Sequence, residues 1–188
     1  FGLAPGIDSP GAKAGLIPDP QWKKDVRGES WLDSDTYHMS IGQGDVLGTP
    51  LQLAAATAAI ANGGTLFKPE VLNKIIDNNK QIVGEIKPEI LNQNFINPEN
   101  IKIVKEGMRA GVTYGSSVLL NSLPVEAAAK TGTAQTSKEN YYHNWVTVFA
   151  PYDDPQIVLT VILEDVKGVQ AAALPVAKEV LNWYFSPK

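Results

Sequence analysis

The sequence is marked first by the residue types that it lacks. It contains no cysteine, which excludes disulfide bonds and thiolate metal sites. Its two histidines, His38 and His143, are too few for a histidine metal site, and we interpret both as surface or packing residues. No apolar run approaches the roughly 20 residues of a transmembrane helix; the clearest run covers residues 157–163. No pattern for a cofactor is present, and we expect none.

Basic residues form neither a run nor a stripe, and the formal net charge is −4. This distribution argues against nucleic acid or an anionic membrane surface as a partner. With 44% hydrophobic and 19% charged residues, the 188 residues have the composition of one globular domain. No signal peptide is visible, and Phe1 opens a stretch rich in glycine and proline that is typical of the middle of a larger protein. We therefore expect any anchor or targeting segment to lie upstream.

The first third of the chain is predicted to be mostly irregular. Residues 1–19 lack apolar periodicity and are predicted to be a loop. Residues 21–48 are predicted to stay irregular, with Trp22 and Trp31 as packing anchors. The first helix is then expected over residues 51–61. Its start and stop signals are Thr49 as N-cap, Pro50 at the first helical position, Gln52 in a capping box, and Gly63-Gly64 after the end.

A hairpin and a second helix are predicted next. Short apolar pieces within residues 65–83 flank Asn78-Asn79, which favours two strands and a turn. Asn97-Pro98 is typical of a helix start, and Gly111 is expected to end that helix. Its apolar residues recur at helical spacing: Ile101, Val104 and Met108.

The last third predicts an antiparallel sheet covered by helices, an α+β fold. Strands are expected over residues 127–133, 145–150 and 157–163, with a turn at Asp153-Asp154-Pro155 between the last two. A closing helix over residues 174–185 is expected to pack on the sheet. Its apolar face would consist of Leu174, Ala177, Leu181 and Tyr184.

The motif Lys130-Thr131-Gly132-Thr133 is the sharpest candidate for chemistry. At a strand edge it would present an ammonium group, two hydroxyls and an exposed backbone N–H, which suit an acyl substrate that bears a carboxylate. The absent side chain at Gly132 would let a substrate backbone approach. The alternative is a strand end with a solvated lysine, and the short motif by itself favours that alternative.

Other candidates have a structural interpretation. Asp33, Asp35 and Asp45 allow acid–base chemistry, but aspartate is also typical of loop caps, which we favour. Gly42-Gln43-Gly44 lacks the Lys-Ser/Thr of a phosphate-binding loop. Two aromatic residues, Trp145 and Phe149, are expected to pack in the core rather than to bind a ligand.

Three groups of segments resemble the class B penicillin-binding proteins, the monofunctional peptidoglycan transpeptidases. The first group is Gly6-Ile7-Asp8-Ser9-Pro10-Gly11 and Gly15-Leu16-Ile17-Pro18. The second is Ser40-Ile41-Gly42-Gln43-Gly44-Asp45, Thr49-Pro50-Leu51-Gln52-Leu53-Ala54 and Ala61-Asn62-Gly63-Gly64. The third is Lys130-Thr131-Gly132-Thr133-Ala134-Gln135, Asn144-Trp145 and Phe149-Ala150-Pro151. They follow the family's order across nearly the whole chain.

The resemblance implies a β-lactamase/transpeptidase-like fold that is incomplete in this chain. Lys130, Thr131 and Gly132 match the family's Lys-Thr/Ser-Gly motif. No serine here has a lysine three positions later or an asparagine two positions later, so the Ser-x-x-Lys and Ser-x-Asn motifs are absent. Residues 1–188 are therefore expected to be the C-terminal portion of the transpeptidase domain, downstream of both motifs. Trp31 and residues 35–37 and 41–45 look most like the elongation type, penicillin-binding protein 2.

The sequence also departs from the family's pattern near the motif. Ala129 stands where glycine is common, Gly115-Ser116-Ser117 stands where Gly-Thr-Ala is common, and Val146-Thr147-Val148 replaces the usual Phe-x-Gly. None of these departures changes the Lys-Thr-Gly motif itself. They suggest that the groove beside the motif differs from that of the relatives.

The resemblance implies that an upstream serine attacks a D-Ala-D-Ala stem peptide and that the acyl group passes to a second stem peptide. Lys130 would attract the substrate carboxylate and support proton transfer, Thr131 and Thr133 would bind that carboxylate, and the Thr133 N–H would be half of the oxyanion hole. β-Lactams would acylate the same serine. Further implications are a membrane glycosyltransferase of the elongation machinery as partner, and a location on the periplasmic side of the bacterial inner membrane, anchored outside this chain.

Two other readings remain open. A serine β-lactamase or carboxypeptidase shares the third motif, and hydrolysis of penicillin by the intact protein would favour it. The second alternative is a non-catalytic binding module. Absence of the serine motif from the whole gene, and not only from this chain, would favour it.

Overall fold

A computed structural model describes residues 13–168 and 171–187. The helices are α1 (Pro20–Arg27), α2 (Asp33–Ser40), α3 (Pro50–Ala61), α4 (Pro98–Thr113) and α5 (Ala173–Phe185), with a 3₁₀ helix at Val118–Ser122. The strands are β1 (Thr65–Phe67), β2 (Lys74–Ile76), β3 (Ile82–Glu85), β4 (Ile90–Gln93), β5 (Ala128–Gln135), β6 (Tyr141–Ala150) and β7 (Ile157–Lys167). None of the helices in these residues is both long and apolar enough to span a membrane.

The main sheet has the order β5-β6-β7 and is antiparallel throughout, which confirms the three strands predicted in the last third. One face carries Val146 and Val148 of β6, which pack in a cluster with Leu174, Ala177 and Leu181 of α5. Helix α5 therefore covers this face, as predicted. Tyr184, the fourth residue of its predicted apolar face, is instead 40% exposed.

The opposite face of the sheet packs against α3 and α4. Ala128 and Phe149 are fully buried there with Ala61 of α3 and Met108 of α4. Since successive side chains of a strand point to opposite faces, β5 and β6 contribute to both cores. The sheet thus lies between two helical layers, which confirms the α+β fold class.

Helix α3 begins as its capping residues predict. The Thr49 hydroxyl accepts a hydrogen bond from the Gln52 N–H at 3.2 Å, and the Gln52 carboxamide oxygen accepts one from the Thr49 N–H at 2.9 Å. Pro50 is the first helical residue. The helix ends before Gly63 and Gly64, whose φ angles are +87° and +116°.

The prediction that residues 21–48 are irregular is wrong, because α1 and α2 lie within them. The Asp19 carboxylate caps α1 by accepting from the Trp22 N–H at 2.7 Å, and Gly28 ends the helix in the left-handed region with φ +69°. Trp22 and Trp31 are half-buried. Of the predicted N-terminal loop, residues 13–19 are irregular apart from a bridge between Leu16 and Leu47, and residues 1–12 lie outside the described residues.

Helix α4 runs past Gly111 to Thr113, so the prediction that Gly111 ends it is wrong. Gly111 serves close packing instead: a Cβ atom there would lie 3.0 Å from the carbonyl oxygen of Ala129 in β5. Ile101 and Met108 are buried as predicted, whereas Val104 is 44% exposed.

The segment between α3 and α4 forms two small sheets. The predicted hairpin consists of β2 and β3, and the Asp77 carboxylate accepts from the Asn79 and Gln81 N–H groups at its turn. Strand β1 pairs with β4, a strand that the sequence pattern did not predict. Among the described elements, β2 and β3 contact only each other.

Candidate active site at the open edge of β5

The Lys-Thr-Gly-Thr motif lies in the middle of β5, at an edge of the main sheet. Lys130, Thr131, Gly132 and Thr133 are opposite Thr147, Val146, Trp145 and Asn144 of β6. Within the residues that the structure describes, no strand pairs with the other edge of β5. The motif is therefore on a strand with one free side, as the predicted role in binding a carboxylate requires.

The hydrogen bonds of β5 determine which backbone groups point to this free side. The Thr136 N–H donates to the Tyr141 carbonyl of β6 at 3.2 Å, and the Tyr152 N–H donates to the Glu126 carbonyl at 2.8 Å. Residues of an antiparallel strand alternate between pointing at the partner and away from it. Thr131 and Thr133 consequently direct their N–H and C=O groups to the open edge.

Two side-chain contacts agree with this alternation. The Thr131 carbonyl accepts a hydrogen bond from the Lys130 ammonium group at 2.5 Å. The Thr133 carbonyl accepts one from the Gln43 carboxamide at 3.1 Å. Both carbonyls therefore point away from β6, and the Thr133 N–H lies on the same side of the strand.

The motif's side chains divide between the two faces of the sheet. Lys130 is exposed and forms no ion pair with any other described residue, so its charge is available to an anion. The Thr131 hydroxyl points to the other face, where it lies 2.8 Å from the Ser116 hydroxyl. The ammonium group and the Thr131 hydroxyl therefore lie on opposite faces of the strand, and the Thr133 N–H points to the open edge between them.

The fold itself does not require glycine at position 132. A Cβ atom there would lie 3.5 Å from the Cβ of Trp145, an ordinary van der Waals distance, and the backbone is not in the left-handed region. The packing of the sheet therefore leaves the glycine unexplained. Room for a ligand at the edge of β5 is a sufficient reason for it.

Gln43 also contacts this site, and the sequence pattern does not predict a role for it. It lies in the loop after α2, and its backbone N–H donates to the His38 carbonyl at 2.9 Å. Its signal in the sequence was the pair of glycines around it, since Gly42 and Gly44 both have φ +73°. In the sequence these glycines belong to a segment that resembles the penicillin-binding family, and they lack the Lys-Ser/Thr of a phosphate-binding loop.

An ion pair connects α1 and α2, the two helices that precede Gln43. The Lys23 ammonium group of α1 lies 2.7 Å from a carboxylate oxygen of Asp35 in α2, and that oxygen also accepts from the Leu32 N–H at 2.7 Å. The hydrogen bond from Lys23 and then that from Leu32 hold the pKa of Asp35 below its ordinary value. The hydrogen bond to Asp35 raises the pKa of Lys23, against the opposing effect of desolvation.

The weaker candidates lie outside this arrangement. Asp35 caps α2 as expected, and Asp45 pairs with Arg27, while Asp33 is exposed at the start of α2. His143 accepts from the Asp165 N–H at 3.2 Å, and no group of three potential ligands for a metal occurs in the described part of the chain. Phe149 is a core residue, as predicted, and Trp145 is half-buried.

An antiparallel sheet between two helical layers, with a Lys-Thr-Gly motif on its edge strand, defines the transpeptidase class of fold. The solved structure of Pseudomonas aeruginosa penicillin-binding protein 2 in complex with WCK 5153 superposes with a TM-score of 0.78 at 30% identity, covering 99% of this chain and 42% of that chain. Penicillin-binding protein 2B from Streptococcus pneumoniae superposes with a TM-score of 0.80 at 24% identity, which shows the shared fold. A complex between penicillin-binding protein 2 and MreC from Helicobacter pylori has a TM-score of 0.71.

The penicillin binding protein transpeptidase domain matches residues 1–184, and the chain therefore belongs to this family. The peptidoglycan D,D-transpeptidase MrdA of Acinetobacter baumannii is 33% identical over 98% of this chain, which covers 29% of that protein. MrdA of Haemophilus influenzae is 30% identical over the whole chain and is covered to 31%. The chain thus spans about a third of the length of these relatives. The resemblance to penicillin-binding protein 2 that the sequence motifs indicated is confirmed.

Proposed function

We propose that the protein containing this chain is a peptidoglycan D,D-transpeptidase that uses a serine acyl-enzyme and binds β-lactams. The observation that carries the proposal is the open edge of β5, where the exposed Lys130 and the outward Thr133 N–H lie within one strand segment. The MrdA relatives support the reaction class by their names. The serine would come from a Ser-x-x-Lys segment outside these residues.

In the first step, the serine oxygen bonds to the carbonyl carbon of the D-Ala-D-Ala peptide bond, and the C–N bond breaks. The serine's proton passes through the upstream lysine to the amine nitrogen of the departing D-alanine. The first step therefore neither gains nor loses a proton. In the second step, an amine nitrogen of another stem peptide attacks the ester carbonyl carbon, the C–O bond to the serine breaks, and a proton of the amine passes to the serine oxygen. A cross-link forms and the enzyme is restored.

Residues of this chain would bind and polarise the substrate in both steps. Lys130 and the Thr131 hydroxyl would hold the terminal carboxylate, together with the Thr133 hydroxyl, through charge-assisted hydrogen bonds. The Thr133 N–H would donate to the oxyanion, a contribution of about 3 kcal/mol to barrier lowering by comparison with other oxyanion donors. A β-lactam follows the first step with its ring C–N bond as the bond that breaks.

The location, substrates and partners of the protein are further proposals, and they follow from the family resemblance. We propose the periplasmic side of the bacterial inner membrane, with an anchor outside this chain, and stem peptides ending in D-Ala-D-Ala as substrates. A membrane glycosyltransferase of the elongation machinery is the proposed protein partner. A second is a protein of the MreC type, because one solved relative is a complex with MreC.

Intact-mass spectrometry of the full-length protein after treatment with penicillin tests the proposal. We expect one penicilloyl adduct, a severe slowing of its formation in Lys130→Ala, and a normal rate in Lys138→Ala. Lys138 is a matched control because it is an exposed lysine of the β5–β6 connection that pairs with Asp165. Normal acylation of Lys130→Ala would show that the motif is not the site.

The same measurement on the isolated 188 residues separates the roles of the two parts of the protein. We expect no adduct, because no serine in the chain has a lysine three positions later. An adduct on the isolated chain would mean that the nucleophile has been misplaced. Rapid release of hydrolysed penicillin by the full-length protein would instead favour a β-lactamase or carboxypeptidase.

A further inference from the structure

Gln43 connects the loop after α2 to the edge of β5. Its carboxamide nitrogen donates to the Thr133 carbonyl at 3.1 Å, across 90 residues of sequence. The side chain is half-buried, so water competes for this hydrogen bond less than at a fully exposed site. The contact joins a loop to the residue whose N–H is the proposed oxyanion donor.

The loop is built in a way that fixes the direction of this side chain. Gly42 and Gly44 adopt left-handed backbone conformations on both sides of Gln43, and the Gln43 N–H is held by the His38 carbonyl at 2.9 Å. A Cβ atom on Gly44 would lie 3.4 Å from the Cβ of His38, which is van der Waals contact, so the positive φ rather than crowding favours glycine there. A residue with a side chain at either glycine would be strained.

The far side of the loop is fastened as well. Leu47 forms a two-way backbone bridge with Leu16, in which each N–H donates to the other's carbonyl at 2.7 and 2.9 Å. Asp45 forms an ion pair with Arg27 of α1. Because both ends are held, the fold fixes the backbone position from which the Gln43 side chain reaches Thr133.

At Thr133, by contrast, β5 has a partner on one side only. The N–H and C=O of Thr133 both point to the open edge, and within the described residues Gln43 makes the hydrogen bond that holds them there. A rotation of this part of the strand would move the carbonyl and the N–H together. Oxyanion donors act at 2.7–3.1 Å, so that a small rotation is sufficient to weaken them.

We infer that Gln43 is a positioning residue for the oxyanion donor: by holding the Thr133 carbonyl, it fixes the direction of the Thr133 N–H. The inference rests on the proposed transpeptidase function and concerns the same site. Gln43 itself does not touch the reacting atoms in this role. Its contribution therefore belongs to the rate of acylation and not to the initial binding of substrate.

The test is the acylation of the full-length protein by a labelled penicillin in Gln43→Met and Gln43→Glu variants. Methionine keeps the length of the side chain without a donor, and an ionised glutamate places an acceptor opposite the Thr133 carbonyl. Gln21→Met is the matched control, because Gln21 is exposed in α1 and bonds only to Asp25 among the described contacts. The acylation rate constant and the saturation constant for penicillin are measured separately. Both are normalised to the fraction of protein molecules that can be acylated.

We expect the acylation rate constant to fall about threefold to tenfold in Gln43→Met, the range for loss of one neutral hydrogen bond, and further in Gln43→Glu. The saturation constant of both Gln43 variants should equal that of the wild type. In the control Gln21→Met, the rate constant and the saturation constant should both be unchanged. A purely structural role would instead lower the melting temperature and the fraction that can be acylated, with an unchanged rate constant, and would overturn the inference. An unchanged or faster acylation rate in Gln43→Met would also overturn the inference. Absence of any adduct on the wild-type protein would instead overturn the proposed function.

Discussion

The hydroxyl of Ser116 lies 2.8 Å from the hydroxyl of Thr131, although the two residues belong to different elements. Ser116 follows the C-terminal end of α4, and Thr131 is in the middle of β5. The contact limits the rotation of the Thr131 side chain. One hydroxyl of the candidate carboxylate site is therefore oriented before any ligand arrives.

This orientation gives a test of the role of Thr131. Thr131→Val keeps the shape of the side chain but removes the hydroxyl, and we expect the KM for a carboxylate-bearing substrate to rise about tenfold to a hundredfold in the full-length protein, the range for loss of one hydrogen bond to a charged group. Thr131→Ser retains the hydroxyl and should stay near the wild-type value. Steady-state kinetics with a thioester analogue measure both, and a Val variant that matches wild type would remove Thr131 from the site.

Gly111 and Gly107 provide a matched pair within α4. A Cβ at position 107 meets nothing within 4 Å, whereas one at position 111 lies 3.0 Å from the Ala129 carbonyl. We expect Gly107→Ala to stabilise the protein by about 0.5–1 kcal/mol through helix propensity. Gly111→Ala should destabilise it by about 1–3 kcal/mol, because β5 must shift. Urea unfolding checks the signs, and equal effects would contradict the close contact of α4 with β5.

Ser117 offers a stabilising substitution beside the candidate site. Its side chain is fully buried, and its hydroxyl has no hydrogen-bond partner among the described residues. Since an unsatisfied buried hydroxyl costs about 1–3 kcal/mol, we expect Ser117→Ala to raise the free energy of unfolding by about 1 kcal/mol. Ser122→Ala is the control, because the Ser122 hydroxyl is exposed and donates to the Leu119 carbonyl. A loss of stability in Ser117→Ala would reveal a partner for the hydroxyl.

The Lys23–Asp35 ion pair predicts a particular response to acid. Because the pKa of Asp35 is lowered by folding, its charged form stabilises the protein above its ordinary pKa of 3.8, and this contribution is lost as the pH falls through the lowered value. We therefore expect Asp35→Asn to be less stable than wild type at pH 7, with a difference that shrinks below about pH 4. The raised pKa of Lys23 matters only at alkaline pH.

Asp33→Asn is the matched control for this experiment, because Asp33 lies in the same first turn of α2 and forms no ion pair with the described residues. Unfolding free energies of both variants are measured between pH 7 and pH 3. A constant difference between Asp35→Asn and wild type over this range would contradict the assigned ion pair.

The sequence was sufficient for the elements whose signals are local or strongly periodic. Helix α3 was predicted from Thr49 and Gln52, and both capping hydrogen bonds are present. The main sheet followed from apolar runs around a turn. Helix α1 is not predicted although Asp19, Pro20 and Gly28 form the same kind of start and stop signals, because its eight residues include only two apolar side chains besides the proline, Trp22 and Val26.

The remaining parts depend on contacts that are distant in sequence. Strand β4 is recognisable only through its pairing with β1. The packing role of Gly111 is recognisable only from the Ala129 carbonyl that lies against it. The motif residues of the site were predicted because they are consecutive. Gln43 was not, since it reaches Thr133 across 90 residues and its role exists only in the folded chain.

The β2–β3 hairpin is a natural attachment point for a reporter. It touches no other helix or strand among the described residues. The side-chain hydrogen bonds described for its turn are those that the Asp77 carboxylate accepts. An epitope or a fluorescent protein inserted between Asn78 and Asn79 would thus disturb the hairpin without reaching the main sheet or β5. Such a fusion would allow the full-length protein to be followed in growing cells with β5 left undisturbed.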